Sequence, residues 1–305
     1  MNTTCHRRFT TCLAAGFMML LVVGGDRSSQ TIAQQAEVET GSQQPSPATD
    51  SWFTHKAQWH GFDQFHFRIA GRDAYLIVPA TPLDGKPWIW RARFPDYHAE
   101  IDIELIRQGY HLGYLNVADQ FGSPEIVERA SEFYRYLVDQ RGLNPTPALE
   151  GVSRGGLLVY NWAAANRDSV ACIYCDTPVL DIRSWPGGKG AGIGSEAAWK
   201  KCLGAYGLTE DQAAQFNQQP IDKAGILAKA KIPILHIVSE NDRVVPPSEN
   251  TYRLREELKK FGHDMAVISV AQGTEKSSGH HFDHPDPRRV IEFIRRHAEA
   301  KSPIK

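Results

Sequence analysis

The stretch "ALEGVSRGGLLVY", Ala148 to Tyr160, decides the fold. Apolar and small residues run up to Gly151, Ser153 stands in a one-residue corner, and an apolar helical pattern begins at Gly155. A strand that turns straight into a helix lifts the serine oxygen above the sheet. The backbone at such a corner is strained and bulky neighbours would collide with it, which accounts for Gly151, Gly155 and Gly156. "GVSRG" is G-x-S-x-G in the strand–turn–helix setting that this motif requires. The N–H of Arg154, at the helix N-terminus, then points to where negative charge would develop on a reacting oxygen.

The flanking sequence supplies strands and helices in a telling order. Gln64–Ala70 and Asp73–Ala80 alternate about a Gly71 turn and predict an antiparallel hairpin, and Pro87–Phe94 predicts a third strand. A helix over Ala99–Gln108 and a strand over Tyr110–Ala118 follow. The next helix has Ser123 as N-cap, Pro124 at its first position and Gly142 after its end. Beyond the elbow helix come strands at "VACIYCD" and "IPILHIVS", a helix over Glu249–Phe261, a strand at "MAVISVA" and a helix over Arg288–Ala300. Eight strands alternating with amphipathic helices predict a mostly parallel sheet covered on both faces. Residues 181–231, between the sixth and seventh of these strands, are too long for a plain connection and predict a cap over the strand ends. The cap carries Trp185, Trp199 and a capping box at Thr209 and Gln212.

A serine hydroxyl needs a base, and the base an orienting acid. Asp242 sits in a turn after "IPILHIVS", and His280 and His281 lie between the last strand and the closing helix. The chain order Ser153, Asp242, His280 is that of the α/β-hydrolase motif. His280 is preferred as base because it directly follows Gly279, with His281 as the alternative; Asp176, ending the preceding strand, is the alternative acid. Asp283 and His284 crowd the same loop but cannot easily converge on one ion with the histidine pair, so no metal is expected. His236, within an apolar strand, reads as a satisfied core histidine.

These features resemble the α/β-hydrolase superfamily from Gln64 to about Ala300. The resemblance implies an eight-stranded sheet, a hydrolytic triad and no cofactor. It also places the second oxyanion donor at Ala92 to Phe94, with Arg93 standing where the superfamily usually has His-Gly. More finely, "WRARF", "VADQFGSP", "EGVSRGG", "DTPVLDIRSWPGG" and "GHH" look like exported bacterial hydrolases allied to carbohydrate esterases, some of which demethylate pectin. That likeness implies a carboxylic ester of a polysaccharide or small molecule as substrate. Trp185 and Trp199 would stack on sugar rings, and Arg93, or Arg154 in the same way, would hold a substrate carboxylate, the alternative being that both are tied to Asp96, Asp119 or a neighbouring acid. The rival readings are a peptidase related to prolyl oligopeptidase, set second for want of a propeller-sized N-terminal region, and a non-catalytic carbohydrate-binding protein on the same core.

The remaining sequence bounds the setting. Residues 1–25 have a basic start and a short apolar run, Leu13–Val23, and read as a signal peptide whose cleavage could fall as late as 33. Residues 26–50 are polar and too poor in apolar surface to offset their ordering entropy, which makes them a linker. A secreted or periplasmic hydrolase domain over 51–305 is expected, with no stable membrane insertion after signal removal. The net charge is −1 with no basic run, which argues against a nucleic-acid partner. Cys172, Cys175 and Cys202 remain after the leader and allow at most one bridge among themselves.

Overall fold

The computed structural model describes residues 51–300; the expected signal peptide and linker lie outside the described residues. Two tight turns start the sheet. β1 (His55–Trp59) and β2 (Phe62–Ile69) are joined through His60 and Gly61, and β2 and β3 (Arg72–Val78) through Ala70 and Gly71. All four turn residues have positive φ, between 47° and 86°, which matches the right-handed twist of the strands they connect. After β4 (Trp88–Arg91) strands and helices alternate: α1 (Ala99–Arg107), β5 (His111–Leu115), α2 (Pro124–Arg135), β6 (Ala148–Val152), α3 (Gly155–Ala165) and β7 (Cys172–Asp176). The cap region brings α4 (Glu196–Tyr206), α5 (Glu210–Ala214) and α6 (Ala224–Lys229). β8 (Ile234–Ser239), α7 (Thr251–Lys259), β9 (Ala266–Val270) and α8 (Pro287–Ala300) complete the fold.

Among the described residues the sheet has nine strands, in the order β1-β2-β3-β5-β4-β6-β7-β8-β9, parallel from β5 to β9 and antiparallel before that. This corrects the expected eight. The added strand is β1, whose "HKAQW" is short and largely exposed, only Ala57 and Trp59 being half-buried, so it owes its strand state to pairing with β2. The α/β-hydrolase class itself stands.

Alternation along the central strands divides the core. Trp88, Trp90, Leu149, Ile173, Cys175 and Ile234 face one way, against α2, α3, α6 and α7. Ile89, Ala148, Cys172, Tyr174, Leu235 and Ile237 face the other, against α1 and α8. Both faces are dry, so these strands read as apolar runs. The three cysteines are buried thiols with no disulfide between any two of them, so the bridge that the sequence allowed is not formed. Burial raises the Cys175 thiol well above its ordinary value and pushes Cys202 up to about 12. Both stay protonated and unreactive.

The cap has a small apolar core of its own, built of Leu157, Val179, Ile182, Trp199, Cys202, Ala213 and Val245 with Phe121. The expected capping box is present: Gln212 N–H donates to Thr209 Oγ1 at 3.3 Å, and Thr209 N–H to Gln212 Oε1 at 2.9 Å. Among the described residues no helix is long and apolar enough to cross a membrane.

Gly156, at the start of α3, is closely packed behind the elbow. A Cβ there would lie 2.6 Å from Pro178 Cβ and 2.9 Å from Val179 O. Gly156→Ala should therefore lose about 1–3 kcal/mol by overpacking. Gly204→Ala in α4, where a Cβ meets nothing within 4 Å, should gain up to about 1 kcal/mol. Urea denaturation of both variants checks the contrast.

Candidate active site

Ser153 occupies the corner between β6 and α3 with φ of +51°, the left-handed conformation that an L-residue adopts only under constraint. The constraint is visible. Its N–H donates to Asp176 O at 2.9 Å, and its carbonyl accepts from Gly156 N and Val179 N at 3.0 and 2.9 Å. Held in this way, Ser153 Oγ lies 3.0 Å from His280 Nε2. His280 Nδ1 lies 2.7 Å from Asp242 Oδ2. The carboxylate can only accept, so Nδ1 carries the proton and Nε2 is free to accept the serine hydroxyl. The other oxygen of Asp242 takes the amides of Val244 and Val245 at 2.8 and 2.9 Å, which fixes the carboxylate plane.

The loops bearing Asp242 and His280 are fastened together. Asn241 Oδ1 accepts from Ser239 Oγ and Gly273 N, tying the end of β8 to the loop after β9. Arg243 N–H donates to Ser278 O at 2.9 Å. Gly279 has φ of +86°, and a Cβ there would stand 2.2 Å from Asn241 O. Only glycine lets the base loop come this close. Of the two adjacent histidines, His280 is therefore the one brought to Ser153. His281 is exposed, its ring 5.5 Å from that of Tyr97.

Asp176, the alternative acid, is not part of this relay. It is buried, accepts from Tyr174 OH at 2.8 Å and bonds His98 Nδ1 at 2.9 Å. His98 Nε2 faces the Phe282 carbonyl at 2.9 Å. Neither acceptor has a hydrogen to give, so both ring nitrogens of His98 must donate, and the ring is an imidazolium. Burial alone would lower its pKa; the bond to Asp176 and that carboxylate's charge, with the Phe282 carbonyl, more than offset this and raise it. The clasp fixes the base loop to the end of β7. His284 joins it through Tyr174 OH at 3.1 Å, and the ligating atoms of His98, Asp176 and His284 lie within 4.8 Å of one another. That is a donor set suited to a transition metal, but all of its atoms are engaged in hydrogen bonds. Asp283 is exposed and outside it.

Two backbone donors adjoin Ser153. Arg154 N–H heads α3, and Arg93 N would lie 3.5 Å from a Cβ on Gly155. Among the described residues neither amide donates a hydrogen bond elsewhere. The loop carrying Arg93 is shaped by a residue that was not among those expected at the site. Arg91 is fully buried; its Nη1 donates to Asp102 Oδ2 and Glu150 Oε1, both at 2.8 Å, its Nη2 to Phe94 O at 2.8 Å and to Tyr97 O, and its Nε to Arg93 O at 3.4 Å. Burial raises the Glu150 carboxyl well above its usual range, and Asp102 beside it adds to the rise. The signal was a charged residue at the end of "WIWR" opposite another in "ALEGV", both within buried strands.

Of the two cap tryptophans, Trp185 is half-buried near the elbow, with the Arg154 guanidinium 5.6 Å from its ring. Trp199 is not available to a ligand. It is 6% exposed, donates to Glu210 Oε1 at 2.6 Å and belongs to the cap core. Its place on the inward face of α4 is the reason. His236 is the expected core histidine, satisfied by Tyr160 OH and Thr251 Oγ1 and held neutral by burial, its pKa at about 3.

The profile described as the prolyl oligopeptidase family matches residues 130–299, more than half of the chain. No protein of curated function is significantly similar. Among solved structures, an acylaminoacyl peptidase of Pyrococcus horikoshii shares 17% identity at a TM-score of 0.60, over 80% of this chain and 43% of that one. A puromycin hydrolase shares 18% at 0.58, over 85% of this chain and 42% of that one. Identities so low speak for the fold alone, and this chain spans less than half the length of either neighbour. The finer likeness to carbohydrate esterases gains no support from these similarities.

Two perturbations test the framework around the site. Arg91→Met should cost about 3–5 kcal/mol, the usual penalty for stranding a buried charge partner. Arg91→Lys should not restore the loss, because three donors on a point charge cannot meet five acceptors; urea unfolding reads both. The His98 clasp should show in the pH dependence. A histidine whose folded pKa lies above its ordinary 6.5 stabilises fully below that value and loses the contribution as pH rises through the folded pKa. The Tm gap between wild type and His98→Gln should thus be widest below about pH 6.5 and close at higher pH. A gap that is flat with pH would contradict the imidazolium.

Proposed function

The chain belongs to the prolyl oligopeptidase family, and on that premise we propose that it is a serine hydrolase cleaving the acyl bond of a short peptide. The observation that carries this reading is the relay itself: Ser153 Oγ, His280 Nε2 and Nδ1, and Asp242 Oδ2 are linked by contacts of 3.0 and 2.7 Å. Ser153 attacks the carbonyl carbon while His280 removes its proton, and Asp242 holds the imidazole in the tautomer that can accept it. The N–H groups of Arg154 and Arg93 receive the oxyanion. Each such donor is typically worth about 10²–10³ in rate. His280 then protonates the leaving amine, and water repeats the sequence to release the acid.

The same machinery hydrolyses esters, and one observation keeps a carbohydrate ester as a second reading. Trp185 presents a half-buried aromatic ring beside the elbow, where a sugar face can stack. Trp199, buried in the cap core, lends that reading nothing.

A fluorophosphonate probe should label wild-type protein at Ser153 and leave Ser153→Ala unlabelled. Asp242→Asn should lower kcat by about 10⁴ while retaining the fold, because the wrong tautomer then faces the serine. Short peptide anilides assayed beside acetylated xylan and methylated pectin separate the two substrate readings. Failure of folded wild-type protein to react with the probe would remove the nucleophile.

A further inference from the structure

Two guanidiniums stand beside the nucleophile without a carboxylate of their own. Arg154 follows Ser153 directly, and its guanidinium carbon lies 5.4 Å from the Phe94 ring and 5.6 Å from the Trp185 ring. The Arg93 guanidinium lies 4.9 Å from the same Phe94 ring. Arg93 packs on the start of α3, its Cβ only 3.2 Å from where a Cβ on Gly155 would be. Among the described residues neither arginine makes an ion pair, and Arg93 Nε is buried with no hydrogen-bond partner.

The nearest acid does not serve them. Asp119 feels the charge of both arginines, but its Oδ2 is bonded to Lys201 Nζ at 2.7 Å. Elsewhere the chain treats paired arginines differently: Arg183 and Arg253 share the Asp181 carboxylate at 2.6 and 3.2 Å. Burial lowers the Arg154 pKa, and the neighbouring Arg93 charge lowers it further. Both guanidiniums thus pack on the Phe94 ring, partly desolvated, and their charges repel each other. An anion that reaches both relieves that repulsion and receives charge-assisted hydrogen bonds.

We propose that Arg93 and Arg154 form an anion subsite that selects substrates carrying a carboxylate within about one residue or ring of the scissile carbonyl. The inference rests on the assignment of Ser153 as nucleophile, since proximity to that residue makes the subsite a determinant of specificity. Both side chains are binding groups here; their backbone amides serve separately. A uronate beside an esterified sugar and the terminal carboxylate of a short peptide both offer this chemistry.

The test compares 4-acetoxybenzoate with 4-acetoxybenzamide, which share scissile bond and shape and differ in charge. Wild type should favour the carboxylate by about 10- to 100-fold in kcat/KM, the range expected of charge-assisted hydrogen bonds. The preference should shrink as KCl is raised. It should fall to within about threefold in Arg154→Gln and in Arg93→Gln, and return in part in Arg154→Lys. Partly methylated trigalacturonate against its fully methylated form, and trialanine against its C-terminal amide, then distinguish the two sources of the carboxylate.

Equal kcat/KM for the benzoate and benzamide in wild type overturns the subsite, as does a preference that survives both glutamine variants. Fluorophosphonate labelling of the same preparation reads the nucleophile separately. Labelled protein with no charge preference overturns the subsite alone. Unlabelled protein that still binds 4-acetoxybenzoate at least tenfold more tightly than the benzamide, by calorimetry, upholds the subsite and overturns the nucleophile. Unlabelled protein without that difference overturns both.

Discussion

One guanidinium, that of Arg91, organises the part of the molecule on which the site depends. Placing a charge at zero exposure is costly unless its donors all find acceptors. Arg91 meets the condition with Asp102 from α1, Glu150 from β6 and the carbonyls of Arg93, Phe94 and Tyr97. The strand register makes this possible. Arg91 pairs with Glu150, and Glu150 with Tyr174, so three polar side chains form one row across β4, β6 and β7. The row faces α1, whose Asp102 closes the ion cluster. Its position, directly before the strand ends, lets one arginine bind the sheet on one side and the exit loop of β4 on the other.

That exit loop sets the local geometry of the site. Residues 93–97 bend over the start of α3, which brings Arg93 to the elbow, and the chain enters α1 through His98 in a left-handed conformation with φ of 54°. His98 then reaches across to Asp176 and to the Phe282 carbonyl. A single connection therefore positions both the amide beside Ser153 and the loop that carries His280. The two carboxylates at the strand ends are thus divided by their partners. Asp242, stabilised by two amides, orients His280, while Asp176 anchors the loop two residues further on.

The elbow, the order of the elements, Ser153, Asp242 and His280 were legible because each leaves a local mark: glycines about a serine, alternating apolar runs, a glycine before the histidine. β1 left only a faint mark, the two apolar residues Ala57 and Trp59 in five, since a mostly exposed edge strand takes its state from its neighbour. Trp199 misleads for a related reason; an aromatic in a glycine-rich insertion looks available until the helix face it occupies is known. The cluster of Arg91, Asp102 and Glu150 did have a signal, charged residues within strands that are otherwise apolar on both faces. Reading it required the register that sets Arg91 opposite Glu150, and register is a property of pairing rather than of one segment.

Pairing also decides where backbone strain is stored. Phe94 and His98 after β4, Asp119 and Phe121 after β5, Ser153 after β6 and Thr177 after β7 all have positive φ, although none is glycine. All six lie beyond the carboxyl ends of neighbouring parallel strands. A left-handed residue there costs about 1–2 kcal/mol, and it persists only where other contacts over-determine it. Ser153 and Thr177 show how: each donates its amide to the carbonyl of the adjoining strand, at Asp176 O and Ile237 O, so the ladder continues through the bend. The sheet's own hydrogen bonds therefore offset the strain, and the abrupt exits leave side chains at the strand ends facing the space where a substrate carbonyl would meet Ser153. A relaxed exit would extend the strands and carry Ser153 away from His280.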